Sequence, residues 1–466
     1  MALMFFPRGG AAHVTRSLAG RLPGEGWDVT LVSGSLSLPG RPGDAREFFG
    51  AGDVRPVDFT ASLAAPDPLA AEIPHHPSFE DRPGAPDRVF AQVDDALYEH
   101  QVAVWADVLA EAGAARADVL HLHHLTPVNE AAARVAPDVP VFGHVHGTEL
   151  LMLERIAEGT SEWEFAEAWG KRMRAWAAAW ERFVVSTEAQ GRRACRLLGV
   201  DPGRAVVLPN GFDPETFQPR SGDLLSAPVE FDRRAHWRAH LVEEPRGWRP
   251  GEEAGTIAYA EEDLEALGEG TVFLYVGRFT AVKRIGLLVR AFAEAREMLS
   301  SAAALVLLGG FPGEWEGEHP LTVAEGIGPR DVFLAGWHGH DALPEFFAAS
   351  DVVVLPSVRE QFGQVLVEGM ACGLPAIAAN AQGPAEILRD GETGWLVEPD
   401  DGGALRDAIV AAAQDGEERA RRGRAAREDA CARFAWPALA ARLARAYESA
   451  EEERAPGPRD APPSLH

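Results

Sequence analysis

Along most of the chain, short apolar runs alternate with segments whose apolar positions recur every three or four residues, the pattern of buried strands and amphipathic helices taken in turn. In the first half the runs are Leu3–Phe6, Val29–Val32, Val119–Leu122, Val139–Val145, Val184–Ser186 and Val206–Pro209. Gly9–Gly10 opens a helix marked by Val14, Leu18 and Leu22. In the second half the runs are Val272–Val276, Leu305–Leu308, Val332–Leu334, Val352–Leu355 and Ala376–Ala379, with a helix at Leu288, Phe292, Ala295 and Leu299. Strand and helix in strict alternation predict parallel sheets with helices on both faces. The expectation is an α/β chain of two doubly wound domains: residues 1–215, joined by a return helix at 430–450, and residues 216–429.

Three stretches fit this pattern less well. Ser35–Asp94 is rich in Pro, Gly and acids and reads as loops. Residues 220–270 form an insertion with aromatic and charged positions but no clear period, which either folds over a cleft or packs on the edge of the second domain. Trp169, Met173, Trp176, Trp180 and Phe183 make one stripe beside Lys171, Arg172 and Arg174; it suits a membrane surface or, with a strand directly after it, a core-facing helix. Phe434–Tyr447 reads as a terminal helix, and the charged, proline-rich 451–466 as disordered.

Length and composition narrow the function. The 466 residues suit two domains, and a net charge of −27 disfavours nucleic acid or an anionic membrane as partner. Cys195, Cys372 and Cys431 are scattered without metal-type spacing, which suits a reducing compartment. No apolar run is long enough to span a bilayer, so the expected location is the cytoplasm. Oligomeric state is not readable.

Candidate chemistry concentrates in Asp351–Val397. A strand, Val352–Leu355, stops at Pro356–Ser357 and is followed by Glu360 and Glu368 around the start of a short helix with Phe362, Leu366 and Met370 at a spacing of four. Sites at the carboxyl ends of parallel strands bind ligands, and the next helix aims its positive end there. If the helix runs from Gln361, the two carboxylates stand about 12 Å apart along its axis. They would then accept hydrogen bonds from vicinal hydroxyls at two places on one ligand. Lys171 and Lys283 are the only lysines, and Lys283 stands five residues after Arg278 at a helix start, where two cations are unfavourable unless an anion is present. The Gly9–Gly10 amides suit either a diphosphate or an ordinary turn. A nicotinamide site is disfavoured, because Ser33–Gly34–Ser35 stands where a ribose-binding acid is needed. His121, His123, His144 and His146 fall at strand ends; their alternation is that of extended strands without a cysteine, which argues against a metal site.

These motifs resemble glycosyltransferase family 4: the E-x7-E pair Glu360–Glu368, Gly373–Leu374–Pro375, Gly383–Pro384–Ala385–Glu386, Gly391–Glu392–Thr393–Gly394 and Asn210–Gly211–Phe212–Asp213. The resemblance implies a GT-B fold, two Rossmann-like domains facing across a cleft, with acceptor on the first and donor on the second. It implies a retaining, metal-independent transfer of a hexose from a nucleoside diphosphate sugar, most commonly a UDP-sugar with GDP and ADP open, to a hydroxyl acceptor, without a further cofactor. In that reading Arg278 and Lys283 hold the leaving diphosphate, Glu360 the sugar and Glu368 the ribose. His146 lies against the donor sugar, and Gly9, Gly10, Phe362, Gly363 and Gly383 line the donor. Trp337–His340 lies near the base. The alternative is a nucleotide-sugar 2-epimerase of similar fold, which would recruit His146, Glu149 and Glu360.

Overall fold

A computed structural model describes residues 1–7, 9–37, 43–50, 52–80, 88–159, 162–219, 231–328 and 331–454. The chain divides into two compact units. One holds Met1–Pro209 with the helix Trp436–Arg454, the other Asn210–Ala435.

In the first unit the strands are β1 (Ala2–Leu3), β2 (Thr30–Ser35), β3 (Asp53–Asp58), β4 (Leu120–His123), β5 (Val141–His144), β6 (Arg182–Val185) and β7 (Ala205–Val207). They form one parallel sheet in the order β3-β2-β1-β4-β5-β6-β7. The second unit contains β8 (Thr271–Val276), β9 (Ala303–Leu308), β10 (Val332–Gly336), β11 (Val352–Leu355), β12 (Ala376–Ala379) and β13 (Gly394–Val397), in the order β10-β9-β8-β11-β12-β13. Both orders reverse direction once, between β1 and β4 and between β8 and β11. These are the switch points where doubly wound sheets open a crevice at the strands' carboxyl ends. β9, β11 and β12 are buried at every position, which is why they read as unbroken apolar runs.

Several expectations need correction. β1 is only Ala2–Leu3: the chain then leaves the sheet, and Phe5 packs its ring against His76, Phe79, Phe90 and His124. β3 lies inside the stretch read as loops; it is an edge strand carrying Pro56, alternately exposed, so neither its composition nor its pattern looked strand-like. The tryptophan helix is Ala166–Ala179, with Trp169, Met173 and Trp176 buried, and Phe183 belongs to β6. It is a core helix. Its indole nitrogens are satisfied inside the unit: Trp169 donates to the Val93 carbonyl and Trp180 to Asn129 Oδ1, both at 2.9 Å. Residues 451–454 continue the terminal helix, and the rest of the tail lies outside the described residues.

Within the described part of the insertion, residues 231–270 pack on the edge of the second sheet. Tyr259 accepts from the Leu334 amide at 2.8 Å on the edge strand β10, and Trp237 and Trp248 are buried in that unit's core. The insertion thus covers an edge that would otherwise present unpaired backbone groups.

Candidate active site

At the β8–β11 switch point the backbone brings two loops together. The Val358 amide after β11 donates to the Val282 carbonyl at 3.0 Å, in the short turn Ala281–Lys283 after β8. That bond holds Lys283 Nζ against Glu360 Oε2 as an ion pair with both side chains mostly buried. Arg278, at the end of β8, is exposed and forms no ion pair among the described residues. Its carbonyl accepts from the buried Tyr275 hydroxyl at 2.9 Å, and burial, reinforced by the Glu360 charge, holds that phenol well above its usual pKa. Tyr275 therefore stays a hydrogen-bond donor that fixes the Arg278 backbone.

Glu360 is not helical. The helix is Gln364–Ala371, and Gly363 before it has φ 106°, a conformation that favours glycine. The axial spacing expected for Glu360 and Glu368 therefore does not apply. No side chain caps this helix, so its first amides are not satisfied by one. Gly383 has a different role from the expected one. Its amide donates to the Glu360 carbonyl at 3.1 Å, and a Cβ there would lie 2.1 Å from the Phe362 carbonyl oxygen. It pins the Glu360–Gly363 loop and offers no free amide to a ligand. Phe362 is also corrected: its ring is buried against Phe434, which leaves only its backbone at the loop.

Glu368 is 2% exposed. Its Oε1 receives His340 Nε2 at 2.8 Å and Gln364 Nε2 at 3.0 Å, while Oε2 receives no hydrogen bond among the described residues. Gln364 also donates to the Gly211 carbonyl at 2.8 Å, and the His340 ring packs on Phe217 at 5.4 Å. A carboxylate fixed through one oxygen presents the other to a donor such as a hydroxyl. Burial and this carboxylate together push the nearby Cys372 thiol up to about 12, so it is not a nucleophile. Beside these groups a cavity of about 500 Å³ lies at the carboxyl ends of β8, β9 and β10, lined by Gly277, Arg278, Gly310, Phe311, Trp337 and His340. Phe311 and Trp337 present half-exposed rings 6.3 Å apart at this cavity.

The first unit carries its own constellation at the ends of β1, β4 and β5. Gly9 precedes the helix Gly10–Arg21 with φ 77° and open space where a side chain would stand. The His146 ring stacks on His144 at 4.4 Å, and its Nε2 lies 2.9 Å from His123 Nδ1. The His146 amide donates to Glu149 Oε1 at 2.9 Å. His121 Nε2 meets His144 Nδ1 at 3.1 Å, and its Nδ1 meets the Tyr447 hydroxyl at 2.5 Å. Burial first, then neighbouring imidazoles, lowers His121, His123, His144 and His146 well below 6.5, so they are neutral at physiological pH.

The structure thus gathers Arg278, Lys283, Glu360, Gly363, Glu368 and Gly383 in the second unit, and Gly9, Gly10 and His146 in the first. Gln364 and Tyr275 were missed, and His340, expected in the loop near the base, is found on Glu368. Gln364 was legible, since it stands one helical turn before Glu368. The bond from His340 to Glu368 and that from Tyr275 to the Arg278 carbonyl depend on the folded geometry and leave no trace in local sequence.

Residues 8–216 match the model of Glycosyltransferase Family 4, and residues 260–429 that of Glycosyl transferases group 1. A D-inositol 3-phosphate glycosyltransferase of Stackebrandtia nassauensis is 32% identical over 358 residues, 74% of this chain and 71% of that one. Among solved structures, HepE of Anabaena, crystallised with UDP and glucose, superposes with a TM-score of 0.63 at 19% identity over 96% of this chain and 98% of its own. Sucrose-phosphate synthase from Thermosynechococcus elongatus gives 0.61 at 20% identity over the same shares. The two sheets and these neighbours make the fold GT-B.

Proposed function

The chain belongs to glycosyltransferase family 4, and on that premise we propose that it transfers a hexose from a UDP-sugar to a hydroxyl acceptor with retention at the anomeric carbon. The observation that carries this reading is the grouping of an exposed Arg278, the Lys283–Glu360 pair and the buried Glu368 at one switch point. Two cations beside an uncapped helix start suit a diphosphate, and a carboxylate fixed through one oxygen suits a ribose. Donor binding exchanges Glu360 for phosphate at Lys283 and frees the Glu360 carboxylate for the sugar hydroxyls.

In the transfer step the bond from C1 to the phosphate oxygen breaks and a bond from C1 to the acceptor oxygen forms on the same face. The acceptor proton passes to the departing phosphate. Charge develops on that phosphate, where Arg278, Lys283 and the helix amides act, so no step is assigned to a metal.

The name of the Stackebrandtia relative makes an inositol phosphate the first acceptor to test, and the HepE complex makes UDP the first nucleotide. The three free cysteines favour the cytoplasm, where thiols stay reduced. The test is a reaction of UDP-hexoses with D-inositol 3-phosphate and related polyols, with the product anomer assigned by NMR. An axial product from an axial donor supports the reading. An inverted product, or an epimerised nucleotide sugar formed without acceptor, overturns it.

A further inference from the structure

We propose that His236, His240 and Glu345 form a binding site for one divalent cation of the zinc class, which ties the insertion to the helix Leu343–Ala348. The helix Arg233–Arg238 runs directly into a π-helical turn, Ala239–Glu243, so His236 and His240 stand four residues apart on one face. Their ring centres are 4.7 Å apart. The nearest ligand atoms of the two histidines and of Glu345 all lie within 4.8 Å of one another. Two nitrogens on a tetrahedral zinc stand about 3.3 Å apart, from bonds of about 2.0 Å, so the cluster needs to close by only about 1.5 Å at its widest. The exposed Glu345 side chain has the freedom to supply that movement. The spacing His-x3-His with a carboxylate from a second helix is a recurrent zinc arrangement, leaving the fourth position to water.

The surroundings suit a cation. The Phe346 ring packs within 4.8 Å of His236 and 4.7 Å of His240 and holds both imidazoles in place. Glu345 supplies the negative charge that offsets the cation. A second triad, His121, His123 and His144, also falls within ligand distance. There His121 is engaged by His144 and Tyr447 and His123 Nδ1 by His146, which leaves His123 Nε2 without a hydrogen-bond partner among the described residues; but no carboxylate belongs to the set, and burying a dication among neutral groups is costly. A π-turn in an insertion otherwise devoted to covering an edge is itself unusual, and such turns recur at functional sites. The inference is independent of the transfer reading, since its ligands lie on the insertion and on the helix after β10.

The test uses the full chain stripped with a chelator. Cobalt(II) is titrated and followed by visible absorption, and zinc(II) by calorimetry. One equivalent with tetrahedral cobalt bands, displaced by zinc, is expected. His240→Gln and the surface variant Glu345→Gln should each weaken binding at least about tenfold, with circular dichroism unchanged. No stoichiometric binding, or binding unaffected in both variants, overturns the proposal. Binding abolished only by His144→Gln overturns it too, by moving the ion to the buried triad.

Discussion

Lys283 is one of two lysines in the chain, and the structure sets it against Glu360 in a mostly buried pair. Its rarity and its distance from Arg278 were visible in the sequence, and so were both glutamates. What they touch was not. The Glu360 partner depends on a backbone bond between Val358 and Val282, 76 positions apart, and Glu368 is held by His340 from a loop after another strand. Lys283→Ala removes one of the two cations facing the leaving group. Loss of a single such electrostatic contact lowers kcat by about 10²–10³-fold. The expected outcome in steady-state transfer assays is a fall of that size in kcat/KM, with Lys283→Arg restoring only part because a planar fork does not replace a point charge. A Lys283→Ala enzyme with unaltered kinetics would remove this residue from the mechanism.

At the level of elements, the regular parts of the fold were legible and the irregular parts were not. β11 and β12 fall on the residues their apolar runs marked, because strands buried on both faces carry an unbroken signal. The start of the helix at Gln364 was displaced by three residues from the expected one, because Gly363 takes a positive φ and the loop before it is fixed by Gly383, twenty residues on. β3 was missed because an edge strand tolerates both proline and an exposed face. Gly383 makes the loop testable. In Gly383→Ala the added Cβ would stand 2.1 Å from the Phe362 carbonyl, a backbone atom that cannot swing aside. The loop carrying Glu360 must shift, and a misplacement of about 1 Å costs on the order of a hundredfold in rate. The variant should fold, by circular dichroism, and lose transfer activity to about that extent. Full activity would show that the loop position is not critical.

For the whole molecule, the two-domain plan followed from the alternation of strand and helix and from length. The unit boundary lies at Pro209/Asn210 and the return at Ala435/Trp436. The histidines give the molecule a pH dependence that composition alone did not reveal. His121, His123 and His144 are held neutral in the folded chain, with pKa values far below 6.5, while in the unfolded chain they take up protons near 6.5. The unfolded state binds more protons below that pH. Stability is therefore complete above about pH 7 and falls on acidification, by roughly 1.4 kcal/mol per pH unit for each such imidazole. Thermal unfolding at about pH 5.5 should begin at a clearly lower temperature than at pH 7.5, and a midpoint constant across that window would contradict the buried, neutral cluster. The account as a whole rests on the β8–β11 switch point being a nucleoside diphosphate site. The most direct measurement is thermal unfolding with UDP, GDP and ADP, on the native chain and on the Arg278→Ala, Lys283→Ala double variant. At about a hundred times its dissociation constant a ligand adds roughly 2.7 kcal/mol to stability. The account predicts that UDP raises the midpoint of the native chain and leaves the double variant unmoved; no shift with any of the three, or an equal shift in both proteins, would contradict it.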